Sequence, residues 1–334
     1  MRTKMMMLAV LICLLSGALL LAAQEESPFT LYSPDPVVVH GPFGEWDGRY
    51  TDPGAVLYHD GQFHMFRNGF QGWPASVQVG YLTSPDGMTW TEVTEEPVLR
   101  SDDVPFTDLA ALASSALVMD DGTWVLYFYT WNRSNPPAAE IGRATADNPQ
   151  GPWTIEAEPV LTHGGEGSWD SIHVDAPSVL RTDDGYVMYY AGSNEANRSA
   201  QIGMATSPDG IIWTKYDDLA TTEAPFAESD PVLVSEQDDY RYHQPRVERV
   251  EDGYLMIYRM MPASGSQMGL GIATSDDGIH WDIQSDEPLW SRANMPNSGG
   301  FWYTATAYHD DTLYLYIEGD RGSGTDVFLT TWTP

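Results

Sequence analysis

The chain has a single cysteine and only two lysines among its 334 residues. Cys13 lies inside an apolar run near the N-terminus, and the lysines are Lys4 and Lys215. Disulfides, thiol chemistry and cysteine-ligated metals are therefore excluded for everything after that run. No pair of histidines has metal-ligand spacing either, so no metal site is predicted. The fold must be stabilised by burial of a core, for which about 310 residues suffice.

Basic residues as a whole are scarce. Lys and Arg total 16 against 48 Asp and Glu, which gives a formal net charge of −32 at pH 7. A surface of this sign repels nucleic acid and anionic membranes, so neither is predicted as a partner. It also disfavours polyanionic polysaccharides, unless a local arginine cluster overrides the overall field. Disorder is not expected, because aromatic residues make up 12% of the chain and recur at regular spacing.

The one long apolar run stands at the N-terminus. Arg2 and Lys4 precede Met5–Leu21, and the small residues Ala22 and Ala23 follow. This pattern predicts a secretory signal peptide over residues 1–23, and hence a secreted or periplasmic protein. The alternative is a membrane anchor, for which the run is short of the roughly 20 residues that a span needs. Residues 24–334 are then predicted to form a single domain with no membrane association.

Helical periodicity is absent outside this run, and the chain instead repeats itself. Trp90, Trp153, Trp213 and Trp281 end Asp-Gly-x-x-Trp boxes or a near variant, at spacings of 63, 60 and 68 residues. Apolar strands that follow turn signals such as Asp-Gly occur five times, at 63–66, 124–128, 186–190, 254–258 and 313–317. Such a period predicts an all-β, five-bladed β-propeller. Because the boxes recur once per blade, we interpret them as structural turns.

The sequence also predicts how the ring closes. An Asp/Glu-Pro step follows the tryptophan of four blades, but the fifth copy, Asp35-Pro36, precedes the first blade. We therefore expect residues 29–39 to supply the missing outer strand of the last blade. Closure of this kind removes an open sheet edge and joins the two ends of the chain.

The first strand of each blade is expected to line the central channel. Alignment on the apolar residues that follow makes Asp52, Ser114, Asp175, His243 and Trp302 equivalent. Two carboxylates and an imidazole would then face one axis. Buried charge is costly unless it is paired or used. A structural role, in which these side chains accept backbone N–H groups or hold channel water, is the alternative to a functional one.

The channel residues resemble those of the five-bladed propeller glycosidases of glycoside hydrolase family 43 and its relatives. Asp52 is followed by proline, Asp175 precedes Pro177 by two positions, and His243 precedes Pro245 by two. The resemblance implies hydrolysis of a glycoside or oligosaccharide, with Asp52 as general base and Asp175 as modulator of the acid's pKa. It also implies no cofactor, although a structural calcium ion at the channel centre is common in such propellers.

The general acid of family 43 is a glutamate in Glu-Gly-Pro, where this chain has His243-Gln244-Pro245. In this respect the chain is more similar to family 117, for which a histidine acid is proposed. The resemblance therefore implies His243 as the acid of an inverting reaction, with acid and base roughly 6.5–9.5 Å apart. Glu318 is the reserve candidate.

Further residues are predicted at the mouth of the channel, because the second strands end there. This set comprises Arg67, Trp131, Arg259, Trp302, Tyr303 and Glu318. The aromatic members suit sugar faces. The two arginines either bind a carboxylated sugar or neutralise the channel carboxylates, and neutralisation is favoured.

Two other functions stay open. The missing glutamate in blade four would suit a non-catalytic carbohydrate-binding propeller. A family 130-type glycoside phosphorylase would need a basic phosphate pocket, against which the scarcity of lysine argues.

Overall fold

A computed structural model describes residues 27–72, 76–133, 138–194, 200–235, 240–262, 268–295 and 299–334. The predicted signal peptide lies outside the described residues. Within them the chain forms five antiparallel sheets, and the only helical elements are two 3-10 turns, Ser101–Asp103 and Arg292–Asn294. No helix in these ranges is long and apolar enough to span a membrane. The predicted five-bladed, all-β propeller is confirmed.

Each sheet is one blade. The strands of a blade are consecutive in the chain, except that the first strand of the chain belongs to the last blade. In chain order, the strands begin with β1 (Thr30–Leu31), and blade one follows with β2 (Tyr50–His59), β3 (Gln62–Phe70), β4 (Gln78–Ser84), β5 (Thr91–Glu92) and β6 (Leu99–Arg100). Blade two comprises β7 (Ala110–Val118), β8 (Trp124–Trp131), β9 (Ile141–Ala146) and β10 (Thr154–Ile155). Blade three comprises β11 (His173–Thr182), β12 (Gly185–Ser193), β13 (Gln201–Ser207), β14 (Thr214–Lys215) and β15 (Pro231–Leu233).

The last two blades follow the same order. Blade four comprises β16 (Tyr240–Val250), β17 (Gly253–Pro262), β18 (Gly269–Ser275), β19 (Asp282–Ile283) and β20 (Trp290–Ser291). Blade five comprises β21 (Phe301–His309), β22 (Thr312–Asp320) and β23 (Thr325–Trp332), with β1 as its outer strand. The innermost strands β2, β7, β11, β16 and β21 contact one another in turn, and β21 contacts β2, which closes the ring.

Hairpin turns between the first two strands of a blade follow the predicted chemistry. Asp60 and Gly61 join β2 to β3 with φ values of 47° and 83°. Asp310 and Asp311 join β21 to β22 with φ values of 47° and 56°. Two consecutive positive φ values define the type I′ hairpin, which matches the twist of the flanking strands. Aspartate tolerates this conformation, so the hairpin turn of the last blade forms without a glycine.

The Asp-Gly-x-x-Trp boxes connect neighbouring blades. Tyr127 of blade two donates its hydroxyl to the carbonyl of Gly210 in the box of blade three, at 2.7 Å. Tyr316 of blade five makes the same bond to Gly87 of blade one, at 2.8 Å. Gly87 has a φ of 74°, and a Cβ there would lie 2.9 Å from the Tyr316 hydroxyl oxygen. The glycine of the box is therefore required both by the turn and by the next blade.

The N-terminal segment completes the fifth sheet as predicted. Thr30 and Leu31 pair antiparallel with β23, and Val38 bridges to Val327. His40 then donates its backbone N–H to Asp326 Oδ1 at 3.0 Å, and its ring Nδ1 lies 2.7 Å from the same oxygen. Closure thus combines a short β ladder with a hydrogen-bonded side-chain contact.

An aromatic anchor holds this segment. Phe29 is 5% exposed and packs edge-on against Trp290 and Trp332, with ring centroids 6.0 and 5.6 Å away. We expect Phe29→Ala to lower the free energy of unfolding by about 3–4 kcal/mol, because it removes a buried aromatic ring and leaves a cavity. Urea denaturation measures this loss. Tyr32→Ala, at a site that is 51% exposed, is the matched control and should change stability by less than about 0.5 kcal/mol. Equal losses in both variants would contradict an anchoring role.

Candidate functional site

The channel residues are positioned by β-bulges in the inner strands. Asp52, Asp175 and His243 are each the last paired residue before the ladder shifts, at Asp52/Ala55, Asp175/Ser178 and His243/Arg246. Each bulge contains a residue with φ between 50° and 55°, namely Gly54, Ala176 and Gln244. Bulges re-aim side chains and are common beside active sites. They bring these three predicted residues to the same level of the ring.

The predicted equivalence of Trp302 is wrong by one residue. In blade five the ladder shifts between Phe301 and Thr304, so Phe301 occupies the position of Asp52. Trp302 lies inside the bulge and is 44% exposed. Alignment on the apolar residues after the bulge could not reveal this difference. Ser114 of blade two likewise lies in its bulge, between the paired residues Ala113 and Ser115.

Asp52 is buried at one side of the channel, with 2% of its surface exposed. Its Oδ1 accepts the backbone N–H of Gly54 at 2.9 Å and the side-chain amide of Asn68 at 2.8 Å. Burial raises the pKa of Asp52 to about 6, although these two hydrogen bonds and the charge of Arg246 oppose the rise. Asn68 also bonds the backbone of Ala113 in blade two through both of its amide atoms. The amide therefore fixes Asp52 relative to the next blade.

Asp175 and His243 meet in the channel from blades three and four. His243 Nε2 lies 3.0 Å from Asp175 Oδ1, and Nη2 of Arg259 lies 3.1 Å from His243 Nδ1. A guanidinium only donates, so the contact with Arg259 is a hydrogen bond in the tautomer that leaves Nδ1 free to accept. Burial would raise the pKa of Asp175, but His243, His173 and Arg259 outweigh it and hold that pKa below its usual value.

Glu318 lies on β22, beside the bulge of blade five. The side chain is 4% exposed, and its Oε2 accepts the backbone N–H of Tyr303 at 3.3 Å. Burial and then the charge of Asp52 raise the pKa of Glu318 to about 8. At neutral pH Asp52 and Asp175 therefore favour the ionised form, whereas Glu318 favours the protonated form.

Arg246 crosses the channel and was not among the residues predicted from the sequence. Its Nε donates to the carbonyl of Thr304 in blade five at 2.6 Å, and Nη1 donates to Ser114 Oγ in blade two at 3.0 Å. The side chain is 4% exposed, and burial lowers its own pKa to about 10. A charged residue within the apolar Pro245–Val247 stretch was the available signal, because a guanidinium in an inner strand must find acceptors.

A structural calcium ion at the channel centre stays a prediction. Among the residues that the structure describes, no group of three His, Cys, Asp or Glu side chains could hold a metal ion. The guanidinium of Arg246 instead supplies a positive charge within the channel, bonded to the carbonyls of Thr304 and Pro245 and the hydroxyl of Ser114.

A cavity of about 350 Å³ opens above His243. It is formed by blades two to five and has aromatic, polar and basic walls. Its lining residues are Tyr129, Trp131, His173, Ser193, Asn194, Ala200, Arg241, His243, Arg259, Met261 and Tyr303. A volume in this range suits a small ligand. Four residues predicted for the site (Trp131, His243, Arg259 and Tyr303) thus come together in one cavity.

Arg67 lies elsewhere. Its Nη2 lies 2.5 Å from Asp47 Oδ2 and 2.8 Å from Glu92 Oε1, and its guanidinium covers the ring of Trp46 at 4.9 Å. Neighbouring residues of a strand point to opposite faces, and Asn68 is the one that faces Asp52. Arg67 therefore neutralises Asp47 and Glu92. The expectation that it neutralises Asp52 or Asp175 is wrong.

A second cavity, of about 210 Å³, lies at the opposite end of the channel and is lined by all five inner strands. Glu248 borders it and accepts a hydrogen bond from the Thr306 hydroxyl at 2.7 Å. Burial raises the pKa of Glu248 from 4.5 to about 7. Arg246 borders this cavity too, and so lies between the two ends of the channel.

A five-bladed ring with carboxyl groups buried around its channel is an architecture of glycoside-acting enzymes. The chain belongs to the family of the glycosyl hydrolases family 32 N-terminal domain, whose model matches residues 46–236. The predicted kinship with propeller glycosidases is confirmed, and the matching family model is that of family 32.

Solved structures share the fold at low sequence identity. A member of the GH130 family of mannoside phosphorylases, which contains glycoside hydrolases that target β-1,2 mannosidic linkages in Candida mannan, superposes with a TM-score of 0.69 at 18% identity, covering 94% of this chain and 96% of the other. A putative glycosidase from Bacteroides thetaiotaomicron has a TM-score of 0.69 at 17% identity over 92% and 97%. A GH43_1 enzyme from Xanthomonas citri has a TM-score of 0.60 at 16% identity over 88% and 91%.

Relatives found by sequence match a smaller part of the chain. Uncharacterized proteins from two Mycobacterium tuberculosis strains, CDC 1551 and H37Rv, are each 29% identical over 146 residues. The match covers 39% of this chain and 43% of each relative, so the chain spans less than half the length of these curated relatives.

Glu248 should make stability depend on pH. Its pKa is higher in the folded chain than the usual 4.5, so the folded state retains a proton that the unfolded state has released between about pH 4.5 and 7, and stability falls as pH rises through this window. Glu248→Gln keeps an acceptor for Thr306 without the charge. We expect it to be more stable than the natural chain by about 1–3 kcal/mol at pH 8, and equally stable at pH 4. Urea denaturation at both pH values measures this difference. Glu251→Gln, on an exposed turn, is the control, and a similar pH-dependent gain there would refute the assignment.

Proposed function

We propose that the chain hydrolyses a glycosidic bond at the end of the channel that carries Asp52, Glu318 and His243. The observation that carries this proposal is the pair of buried carboxyls, Asp52 and Glu318, whose pKa values are raised to different extents. Titratable groups whose environments separate their pKa values are the signature of an acid and base pair. The aromatic cavity beside them suits a sugar ring.

Asp52 is the general base in this proposal. Its pKa of about 6 leaves it ionised at neutral pH yet more basic than an ordinary aspartate, which strengthens its pull on a water proton. Asn68 and Gly54 hold one carboxylate oxygen, Oδ1, in place. These hydrogen bonds, and after them the charge of Arg246, favour the ionised form of Asp52 against the effect of burial on its pKa.

Glu318 is the general acid that the electrostatics favour. With a pKa of about 8 it retains its proton at neutral pH and can deliver it to the departing sugar oxygen. His243, the acid implied by the sequence resemblance, lies between two charged side chains, with Arg259 Nη2 3.1 Å from its Nδ1 and Asp175 Oδ1 3.0 Å from its Nε2. We therefore assign His243, together with Asp175, to positioning and to the electrostatics of the site. The assignment of His243 as the acid stays a prediction, which the experiments below distinguish.

The remaining predicted contacts concern the sugar. Trp131 and Tyr303 line the cavity, and the guanidinium of Arg259 lies over the Tyr303 ring, 5.8 Å from its centroid. Arg259 also donates to the carbonyl of Trp302 at 2.9 Å. Trp302 is exposed and can extend an aromatic contact beyond the cavity. An inverting course, secretion after removal of residues 1–23, and a secreted or periplasmic location belong to the same proposal.

Substitutions at Asp52 and Glu318 test the roles with two classes of substrate. The probes are 2,4-dinitrophenyl glycosides, whose leaving group needs no proton, and methyl glycosides, whose leaving group does. We expect Asp52→Asn to lower kcat/KM by about 10²–10⁴-fold on both classes, and Glu318→Gln to do so on methyl glycosides only. His243→Gln is measured in parallel. If His243→Gln loses activity on methyl glycosides but keeps it on dinitrophenyl glycosides, and Glu318→Gln does not show this difference, the histidine is the acid. Sugar binding by the natural chain without turnover of any glycoside would indicate a non-catalytic carbohydrate-binding propeller.

The pH profile gives an independent test. A base acts only when ionised, so kcat/KM should rise with pH through about 6, where Asp52 loses its proton. An acid acts only when protonated, so kcat/KM should fall through about 8, where Glu318 loses its proton. The expected profile is a bell centred near pH 7. Glu318→Gln should remove the alkaline limb; its persistence in that variant would exclude Glu318 as the acid.

A further inference from the structure

We propose that the 350 Å³ cavity above His243, here called the basic cavity, binds an oxyanion. It is lined by the residues given above, which include Arg241, Arg259, His173 and His243. The inference deepens the proposed function, on which it rests, by adding the chemical class of the ligand. The oxyanion is either part of the sugar, as a carboxylate or sulfate ester, or free phosphate that takes the place of water.

The charge of this cavity opposes that of the chain. Asp and Glu outnumber Lys and Arg by 48 to 16, yet the described residues that line the basic cavity include two arginines and no Asp or Glu. Asp175 lies behind this lining, 3.0 Å from His243 Nε2. Such a local reversal attracts anions despite the negative field of the whole surface. The overall charge of the sequence disfavours an anionic sugar unless arginines cluster locally, and Arg241 and Arg259 form such a cluster.

Arg241 carries most of this argument. Among the described residues, no carboxylate forms an ion pair with Arg241 or with Arg259, whereas Arg67, Arg100, Arg143 and Arg181 each pair with a carboxylate. Arg259 donates instead to the carbonyl of Trp302 and to His243. A half-buried guanidinium in a concave site, with its donors uncommitted, is suited to an incoming anion.

The β ladder fixes the geometry of the basic cavity. Arg241 pairs with Met261 across β16 and β17, and His243 pairs with Arg259 one step further along the same face. The four side chains thus form one wall, with the two arginines diagonal to each other. His173 stands on β11 and its ring packs edge-on against Trp131 at 5.0 Å. A sugar ring stacked on the aromatic side would therefore direct a charged substituent towards the arginines.

Oxyanion binding is measured first without assuming a sugar. Sodium sulfate and sodium phosphate are titrated against sodium chloride at equal ionic strength, and thermal shift or calorimetry records binding to the full chain. We expect Arg241→Gln to weaken sulfate and phosphate binding at least tenfold, and Arg241→Lys to recover part of the loss, because lysine keeps the charge but not the planar fork. Arg100→Gln removes the same charge from an exposed strand and should bind as the natural chain does.

Turnover then separates the two sources of the oxyanion. A preference for uronides or sulfated glycosides over their neutral counterparts, lost in Arg241→Gln, would place the anion on the sugar. Phosphate-dependent turnover that releases a sugar phosphate would identify free phosphate as the nucleophile. In that step a phosphate oxygen forms the glycosyl–phosphate bond, the glycosidic bond breaks, and the departing oxygen takes the proton of Glu318 and leaves as an alcohol.

Different measurements test oxyanion binding and glycoside hydrolysis, so either can fail without the other. Asp52→Asn should abolish turnover while sulfate still binds. If sulfate and phosphate bind no better than chloride, or bind Arg241→Gln and the natural chain equally, the basic cavity is not an oxyanion site, and hydrolysis of neutral glycosides by Asp52 and Glu318 would be unaffected.

Discussion

The buried guanidinium of Arg246 is the interaction on which the channel depends. The inner strands β2 and β11 bring Asp52 and Asp175 towards one axis, and β22 adds Glu318. Ionised carboxyls without a counter-charge would repel each other there and lose hydration. Arg246 reaches from blade four to blades two and five and supplies a positive charge at that axis. It limits the rise in the pKa of Asp52, whereas Glu318, raised further by the charge of Asp52, retains its proton. The same residue thus joins three blades and separates the titration of two carboxyl groups.

Much of the architecture could be predicted because it repeats. A turn, an apolar strand and a tryptophan at a period of about sixty residues define a blade, and the misplaced Asp35-Pro36 step indicated the closure of the ring. Asp52, Asp175 and His243 could be aligned because each is followed by a proline-containing bulge. The alignment failed at Trp302, because the bulge of blade five lacks proline and shifts the ladder one residue earlier.

The partners of charged side chains were harder to predict, since they depend on contacts between blades. Arg67 is adjacent to Asn68 on one strand, yet only the amide faces Asp52, and the arginine turns towards Asp47 and Glu92. Arg241 and Arg246 gave no recognisable motif. Their roles follow from which cavity wall or which neighbouring blade each one reaches, and a single sequence does not carry that information.

The ring closes through strands at opposite ends of the chain. β1 pairs with β23, and His40 contacts Asp326, across nearly three hundred residues. A ribosome delivers the segment that contains β1 first and its partner last, so four blades can form while this segment waits unpaired. Loop closure over such a distance is slow. Until the ring closes, blades one and five each present an unpaired strand edge. We therefore expect the protein to be most prone to aggregation, or to chaperone binding, at this stage of folding.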